Sequence, residues 1–163
     1  MDRGGEKEDA RLHPHDPLNP DYSLTMEIVR IDRKGKLFIS PDIDDWKPIE
    51  KLRITAIIDL DGGLDIGVPY IPDKLLYIYY PIHDGELPDR KKLHALGRFG
   101  AMLIDEGHKV LSHCGLGLNR SALVAGVILV DMGMNGKEAV ELIRSKRPGA
   151  LFNPKFAKYL ATL

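Results

Sequence analysis

The stretch Ile54–Leu60 reads ITAIIDL, an almost unbroken apolar and β-branched run. Such a run is a strand covered on both faces, and covering both faces of a sheet takes helices above and below it. Asp61-Gly62-Gly63 ends the run. Further strands are predicted at Met26–Ile31 and Lys36–Ile39, joined by a turn at Lys34-Gly35, then at Leu75–Tyr80, stopped by Pro81, and at Lys109–Ser112. Helical spacing alternates with them. Ser40-Pro41-Asp42 opens a helix carrying Ile43, Trp46, Ile49 and Leu52, kinked or shortened at Pro48. Asp89 caps a helix with Leu93, Leu96, Gly100, Leu103 and Ile104 on one face, closed by Gly107. Another helix runs from Arg120 to Met132. Asn135, with Glu138 as capping-box partner, starts the next, which ends before Pro148, and Pro154 opens a last short helix to Leu163. The expected fold is α/β, a central mostly parallel sheet flanked by helices.

At 163 residues the chain is long enough for one domain with a real core and too short for two ordinary ones. Residues 1–20 are polar and proline-rich and are expected to form a flexible arm, leaving 21–163 as the domain. The longest apolar run, Ala122–Val130, falls well short of the roughly 20 residues that cross a bilayer. The opening MDRGGEKEDARLHPHDP has no hydrophobic signal region, so a cytoplasmic protein with no membrane partner is expected. The single cysteine excludes an internal disulfide and any zinc site built from several cysteines. A net charge of −1 excludes bulk attraction to nucleic acid, which is not an expected partner. Charge is uneven, however. Residues 107–163 hold 8 basic and 3 acidic side chains against 15 and 21 before them, which suits an anionic ligand as well as it suits solvated helix faces.

The chemically informative segment is Ser112-His113-Cys114-Gly115-Leu116-Gly117-Leu118-Asn119-Arg120-Ser121. A strand runs into the only cysteine, a loop with two glycines follows, and a helix begins at the arginine. A tight strand-to-helix loop turns backbone N–H groups inward to form an anion nest, and the helix N-terminus adds its own free donors and partial positive charge. Arg120 offers a planar fork to two phosphate oxygens. A sulfur at the centre of this field is favoured as the thiolate, and a thiolate beneath a phosphate is a nucleophile aimed at phosphorus.

This segment is the Cys-x5-Arg-Ser signature, preceded by His, and the chain resembles the protein tyrosine phosphatase superfamily in its small dual-specificity branch. Two other pieces agree. Tyr80-Pro81-Ile82-His83-Asp84-Gly85-Glu86-Leu87-Pro88-Asp89 resembles the general-acid loop, and Arg147-Pro148-Gly149 through Asn153-Pro154-Lys155-Phe156 resembles the segment that buttresses the phosphate loop. The resemblance implies a phosphotyrosine-phosphatase-like fold and a two-step reaction through a phosphocysteine. In it Cys114 attacks, and Arg120 with the amides of Gly115, Leu116, Gly117, Leu118 and Asn119 holds the phosphate. Asp84 serves as acid and then base, Ser121 assists the thiolate, His113 sets the cysteine's surroundings, and Asn153 braces the loop. No metal and no cofactor is implied. Glu86 and Asp89 are alternative acids, and Ser121 and Asn153 could instead be helix-cap residues.

Position 120 is Arg where a dinucleotide loop needs its third glycine, and no Gly-Lys-Ser/Thr follows for a nucleotide P-loop. Ala56–Gly63, an apolar strand ending in Asp59-Leu60-Asp61-Gly62, resembles the aspartate-nucleophile motif of haloacid-dehalogenase-like phosphatases, without a later acidic pair for the metal. The expected substrate is a phosphorylated protein or peptide, with phosphate, sulfate and vanadate as ligands of the same loop. A phospholipid, an inositol phosphate or an RNA 5′-phosphate is the alternative substrate, and a non-catalytic phosphate-binding module the alternative class. The loop interior carries no Lys or Arg, which disfavours highly charged lipid headgroups.

Overall fold

The computed structural model describes residues 27–163; the arm expected over 1–20 and the start of the first predicted strand at Met26 lie outside the described residues. Five strands, β1 (Val29–Arg30), β2 (Leu37–Ser40), β3 (Ala56–Asp59), β4 (Leu76–Tyr79) and β5 (Val110–His113), form one sheet in the order β1-β2-β5-β3-β4. Only β1 runs antiparallel. The helices are α1 (Lys47–Leu52), α2 (Arg90–Asp105), α3 (Arg120–Asp131), α4 (Gly136–Lys146) and α5 (Pro154–Ala161). Among the described residues no helix is long and apolar enough to cross a membrane.

Period-two alternation sorts the strand residues onto two cores. Leu37, Ile39, Ala56, Ile58 and Val110 join the large cluster with the residues of α2–α5, while Phe38, Ile57 and Leu111 face Ile43, Ile49 and Ile54 in a smaller cluster around α1. Both faces of β2, β3 and β5 are therefore covered, as the unbroken apolar runs require. Helix α3 is buried from Ser121 to Leu129 and is the one that α2, α4 and α5 pack around. Gly126 makes part of that packing possible, since a Cβ there would lie 2.2 Å from Leu160 Cδ2 of α5.

The first helix differs from the expectation. It begins at Lys47, so Ile43 and Trp46 precede it and Pro48 lies in its first turn, where its missing N–H costs nothing. The Ser40-Pro41-Asp42 backbone is committed elsewhere: Ser40 O accepts from Cys114 N at 3.4 Å, and Asp42 N donates to Gly115 O at 3.5 Å. The caps at Asp89, Asn135 and Asn153 hold, each side chain accepting from a first-turn amide. Asn135 takes Lys137 N, and Glu138 sits in the same turn.

Register places the site. Ser40 and Asp59 both pair with His113, so the carboxyl ends of β2, β3 and β5 finish level. The chain beyond each of them, starting at Pro41, Leu60 and Cys114, leaves the sheet at one edge, where open parallel sheets bind their ligands.

Candidate active site

Cys114 stands at the end of β5, 2% exposed, with its sulfur 3.4 Å from Ser121 Oγ. The hydroxyl is thus placed to donate to a thiolate. The loop from Gly115 to Asn119 is pinned from several sides. Leu151 N donates to Leu118 O at 2.8 Å, Arg147 Nη2 to Leu116 O at 3.2 Å, and Asn153 N to the buried Asn119 Oδ1 at 3.1 Å. Gly117 has φ +66°, and a Cβ there would lie 2.5 Å from the Ser40 carbonyl carbon, so only glycine lets the loop pass β2. Asn119 occupies the N-cap of α3 without capping it, because its side chain is turned to Asn153. Among the described residues no side chain caps the first-turn donors of this helix, and they open toward the loop that holds Cys114.

Arg120 is only 15% exposed, and its Nη1 lies 2.9 Å from Asp61 Oδ1 and 3.3 Å from Leu60 O. Burial opposes its charge, but the Asp61 hydrogen bond and the negative charges of Cys114, Asp61 and Asp84 outweigh it and hold the guanidinium charged beyond its usual range. Asp61 is itself held below the usual carboxylate range. Burial is its largest influence and acts the other way; the Gly62 amide, Asp42 and Arg120 overcome it. Asp42, on the loop after β2, is pushed up to about 6 by desolvation, by its hydrogen bond to Asp61 and by that neighbour's charge. The sequence analysis missed this pair. It read Asp61 as a strand-ending turn residue and Asp42 as a helix start. Their only signal was position, immediately beyond strands whose carboxyl ends meet the cysteine.

Behind the loop, fully buried His113 places Nε2 2.7 Å from Asp65 Oδ2 and 3.6 Å from Asp59 Oδ1. The Tyr77 hydroxyl lies 2.5 Å from Asp59 Oδ2 and 2.8 Å from Asp65 Oδ2, bridging the carboxylates. Burial, above all, raises Asp59 above its usual range. Asp59, Asp65 and His113 offer one ligand atom each within 4.8 Å of one another, and those groups are already bonded among themselves and to Tyr77.

Of the three candidate acids, Asp89 is spent on capping α2 through Lys92 N, and Glu86 pairs with Lys155. Asp84 is exposed, its charge is felt at Arg120, and its backbone carbonyl accepts from Asn153 Nδ2 at 2.6 Å. Asn153 also caps α5 by accepting from Lys155 N, so one side chain contacts both the Asp84 backbone and the first turn of that helix.

The family model described as dual specificity phosphatase, catalytic domain, matches residues 38–163. Mouse protein tyrosine phosphatase type IVA 3 is 33% identical over 153 residues, covering 93% of this chain and 86% of its own length. Mouse protein tyrosine phosphatase type IVA 2 is 41% identical over 114 residues, covering 69% of this chain and 68% of its own. The crystal structure of Tk-PTP in the active form superposes with TM-score 0.64 at 27% identity, over 83% of this chain and 96% of that one. Human DUSP28, at 20% identity and TM-score 0.71, shares the fold over 83% of this chain and 90% of that one. A chain with this sheet, this cysteine loop and these relatives belongs to the dual-specificity phosphatase catalytic-domain family, among the cysteine-dependent protein tyrosine phosphatases.

Proposed function

We propose that the protein hydrolyses phosphate monoesters of phosphorylated proteins through a phosphocysteine. The Cys114 thiolate forms the S–P bond as the P–O bond to the leaving group breaks, and Asp84 gives that oxygen its proton. Water then attacks phosphorus, Asp84 takes the water's proton, and sulfur leaves as thiolate with the Ser121 hydroxyl donating to it. Arg120 and the loop amides, with the uncapped α3 N-terminus, hold the equatorial oxygens as charge develops. The observation that carries this reading is the Cys114–Ser121 contact at 3.4 Å beside a guanidinium fixed at the same loop.

An active site in which Leu116 is exposed and the loop interior has no basic side chain suits phosphotyrosine, phosphoserine and phosphothreonine in peptides better than polyanionic lipid heads. Phosphate, sulfate and vanadate are expected to compete for the cradle. A reducing compartment such as the cytoplasm fits a lone nucleophilic thiol. Turnover of a phosphotyrosine peptide, a phosphothreonine peptide, an inositol phospholipid and an RNA 5′-triphosphate, each with the parent protein and Cys114→Ser, tests the proposal. Activity on the peptides that Cys114→Ser abolishes supports it. Survival of that activity in Cys114→Ser removes the thiolate from the mechanism, and preference for the lipid or RNA reassigns the substrate.

A further inference from the structure

Part of the positive charge sits in a groove beside the loop that carries Asp84. That loop, the start of α2 and the outer side of α5 enclose an open groove of about 490 Å³, lined by Glu86, Arg90, Lys155, Lys158 and Tyr159 among others. Glu86 is its one acidic side chain, and it pairs with Lys155. Among the described residues no carboxylate pairs with Arg90 or Lys158. Asp89, the acid nearest Arg90 in sequence, is turned to the Lys92 amide. The floor is fixed: the Arg90 Cζ lies 5.9 Å from the centroid of the Tyr159 ring, and the Tyr159 hydroxyl is 2.6 Å from His94 Nε2. Past Arg90 a second hollow of about 430 Å³ follows α2, lined by Arg90, Lys91, His94 and Arg98 with no acid among them. Asp131 on α3 offsets its far end, at His94 and Arg98, which leaves Arg90, Lys91 and Lys158 as the cations without a counter-charge.

The groove begins where the catalytic machinery ends. Glu86 follows Asp84 by two residues, and Lys155 follows by two the Asn153 whose side chain donates to Asp84 O at 2.6 Å. An extended peptide advances about 3.3 Å per residue, so one whose phosphate reaches Cys114 past Asp84 enters the groove within about two to four residues. Resting on the phosphatase reading above, we infer that this groove takes an acidic segment of the phosphoprotein substrate, a short run of Asp or Glu beside the phosphorylated residue, against Arg90, Lys91 and Lys158. Charge complementarity names the occupant, and shape narrows it. A concave groove leading away from the Asp84 loop over an aromatic floor suits a chain that continues from the phosphorylated residue, whereas a flat bilayer would touch only its rims. Each exposed ion pair is weak alone and screened by salt, so about three of them together give about a tenfold gain. The gain falls on KM, because these cations bind the substrate equally before and during the chemical step.

The test compares three phosphotyrosine peptides of one length, flanked by Gln on both sides, by three Glu on the amino side, or by three Glu on the carboxyl side. With the parent at low salt, one of the two acidic peptides is expected to show a KM about tenfold below that of the Gln peptide and a kcat within about twofold of it. The gap should close above about 0.5 M salt. Arg90→Glu combined with Lys158→Glu should abolish the gap and favour a peptide with three Lys in the same place, a reversal that a damaged fold does not produce. 4-Nitrophenyl phosphate, too small to reach the groove, should turn over alike in parent and variant. A parent that treats the acidic and Gln peptides alike, or a preference for Glu that survives in the variant, overturns the inference and leaves the phosphatase reading intact. So does binding to phosphatidylserine vesicles that the variant loses, in the absence of any peptide preference, which assigns the face to a membrane. A parent inert toward 4-nitrophenyl phosphate and every peptide overturns the phosphatase reading and this inference with it.

Discussion

The side-chain amide of Asn153 donates to the backbone carbonyl of Asp84 at 2.6 Å, joining the loop before α2 to the N-cap of α5. Through its own backbone N–H, the same residue reaches Asn119 in the phosphate loop. One residue thus ties the proposed acid to the proposed nucleophile's loop, and its side-chain donor and acceptor can be separated by mutation. Asn153→Asp keeps the acceptor that caps α5 and loses the donor. It should fold with near-parental Tm, yet turn over substrates with poor leaving groups about tenfold more slowly, because those depend most on a positioned acid. Asn153→Ala should share that loss and also drop stability by about 1 kcal/mol. Leaving-group dependence of kcat, measured beside Tm, separates the two effects, and a parent-like Asn153→Asp beside a slow, destabilised Asn153→Ala would show that only the cap matters.

Two glycines of the same loop should respond differently to alanine. At Gly117 a methyl meets the Ser40–Pro41 backbone, which no rotamer change relieves, on a left-handed φ. Gly117→Ala is expected to cost about 1–3 kcal/mol and more than about tenfold in kcat/KM. At Gly115 the nearest atom is 3.4 Å away, at the end of the Arg120 side chain, and Gly115→Ala should stay within about 0.5 kcal/mol of the parent. Thermal melts and initial rates check both.

Stability should carry the mark of Asp42. Its folded value of about 6 stands above the ordinary 3.8 of an aspartate, so the fold favours the acid form. That contribution is whole below about pH 4 and is lost as pH rises through about 6. Asp42→Asn, held neutral, should therefore gain stability relative to the parent between about pH 5 and pH 7.5. Asp42 is a surface residue, so solvent screening holds the gain to about 1 kcal/mol or less. A difference in Tm that does not change with pH would contradict the assigned titration.

The hydroxyl of Tyr77 separates two buried or half-buried carboxyl groups beside His113. Tyr77→Phe leaves Asp59, fully buried, without that donor and should destabilise the fold by about 1–3 kcal/mol. Denaturant unfolding measures it; an unchanged midpoint would mean that water or His113 satisfies Asp59 equally well.

Much of this architecture was legible in the residues. The run Ile54–Leu60 is trimmed to Ala56–Asp59 and the predicted Lys109–Ser112 is shifted to Val110–His113, because local pattern marks a strand's existence better than its ends. Caps at Asp89, Asn135 and Asn153 were readable because their side chains act within a few residues. The start of α1 was not, since the Ser40–Asp42 backbone is claimed by a loop more than seventy residues away. The carboxyl pair escaped for the same reason. Nothing near Asp61 in sequence announces Arg120, and only the parallel register of β3 against β5 brings them together.

On the proposed mechanism a sulfur, not a carboxylate, takes the phosphoryl group. Mixing the protein with a phosphotyrosine peptide, quenching in acid within the first turnover and mapping the modified residue by mass spectrometry tests it directly. The expected result is one phosphoryl group on Cys114, absent from Cys114→Ser. A phosphoryl group on Asp59 or Asp61, or product released with no labelled Cys114, would contradict it.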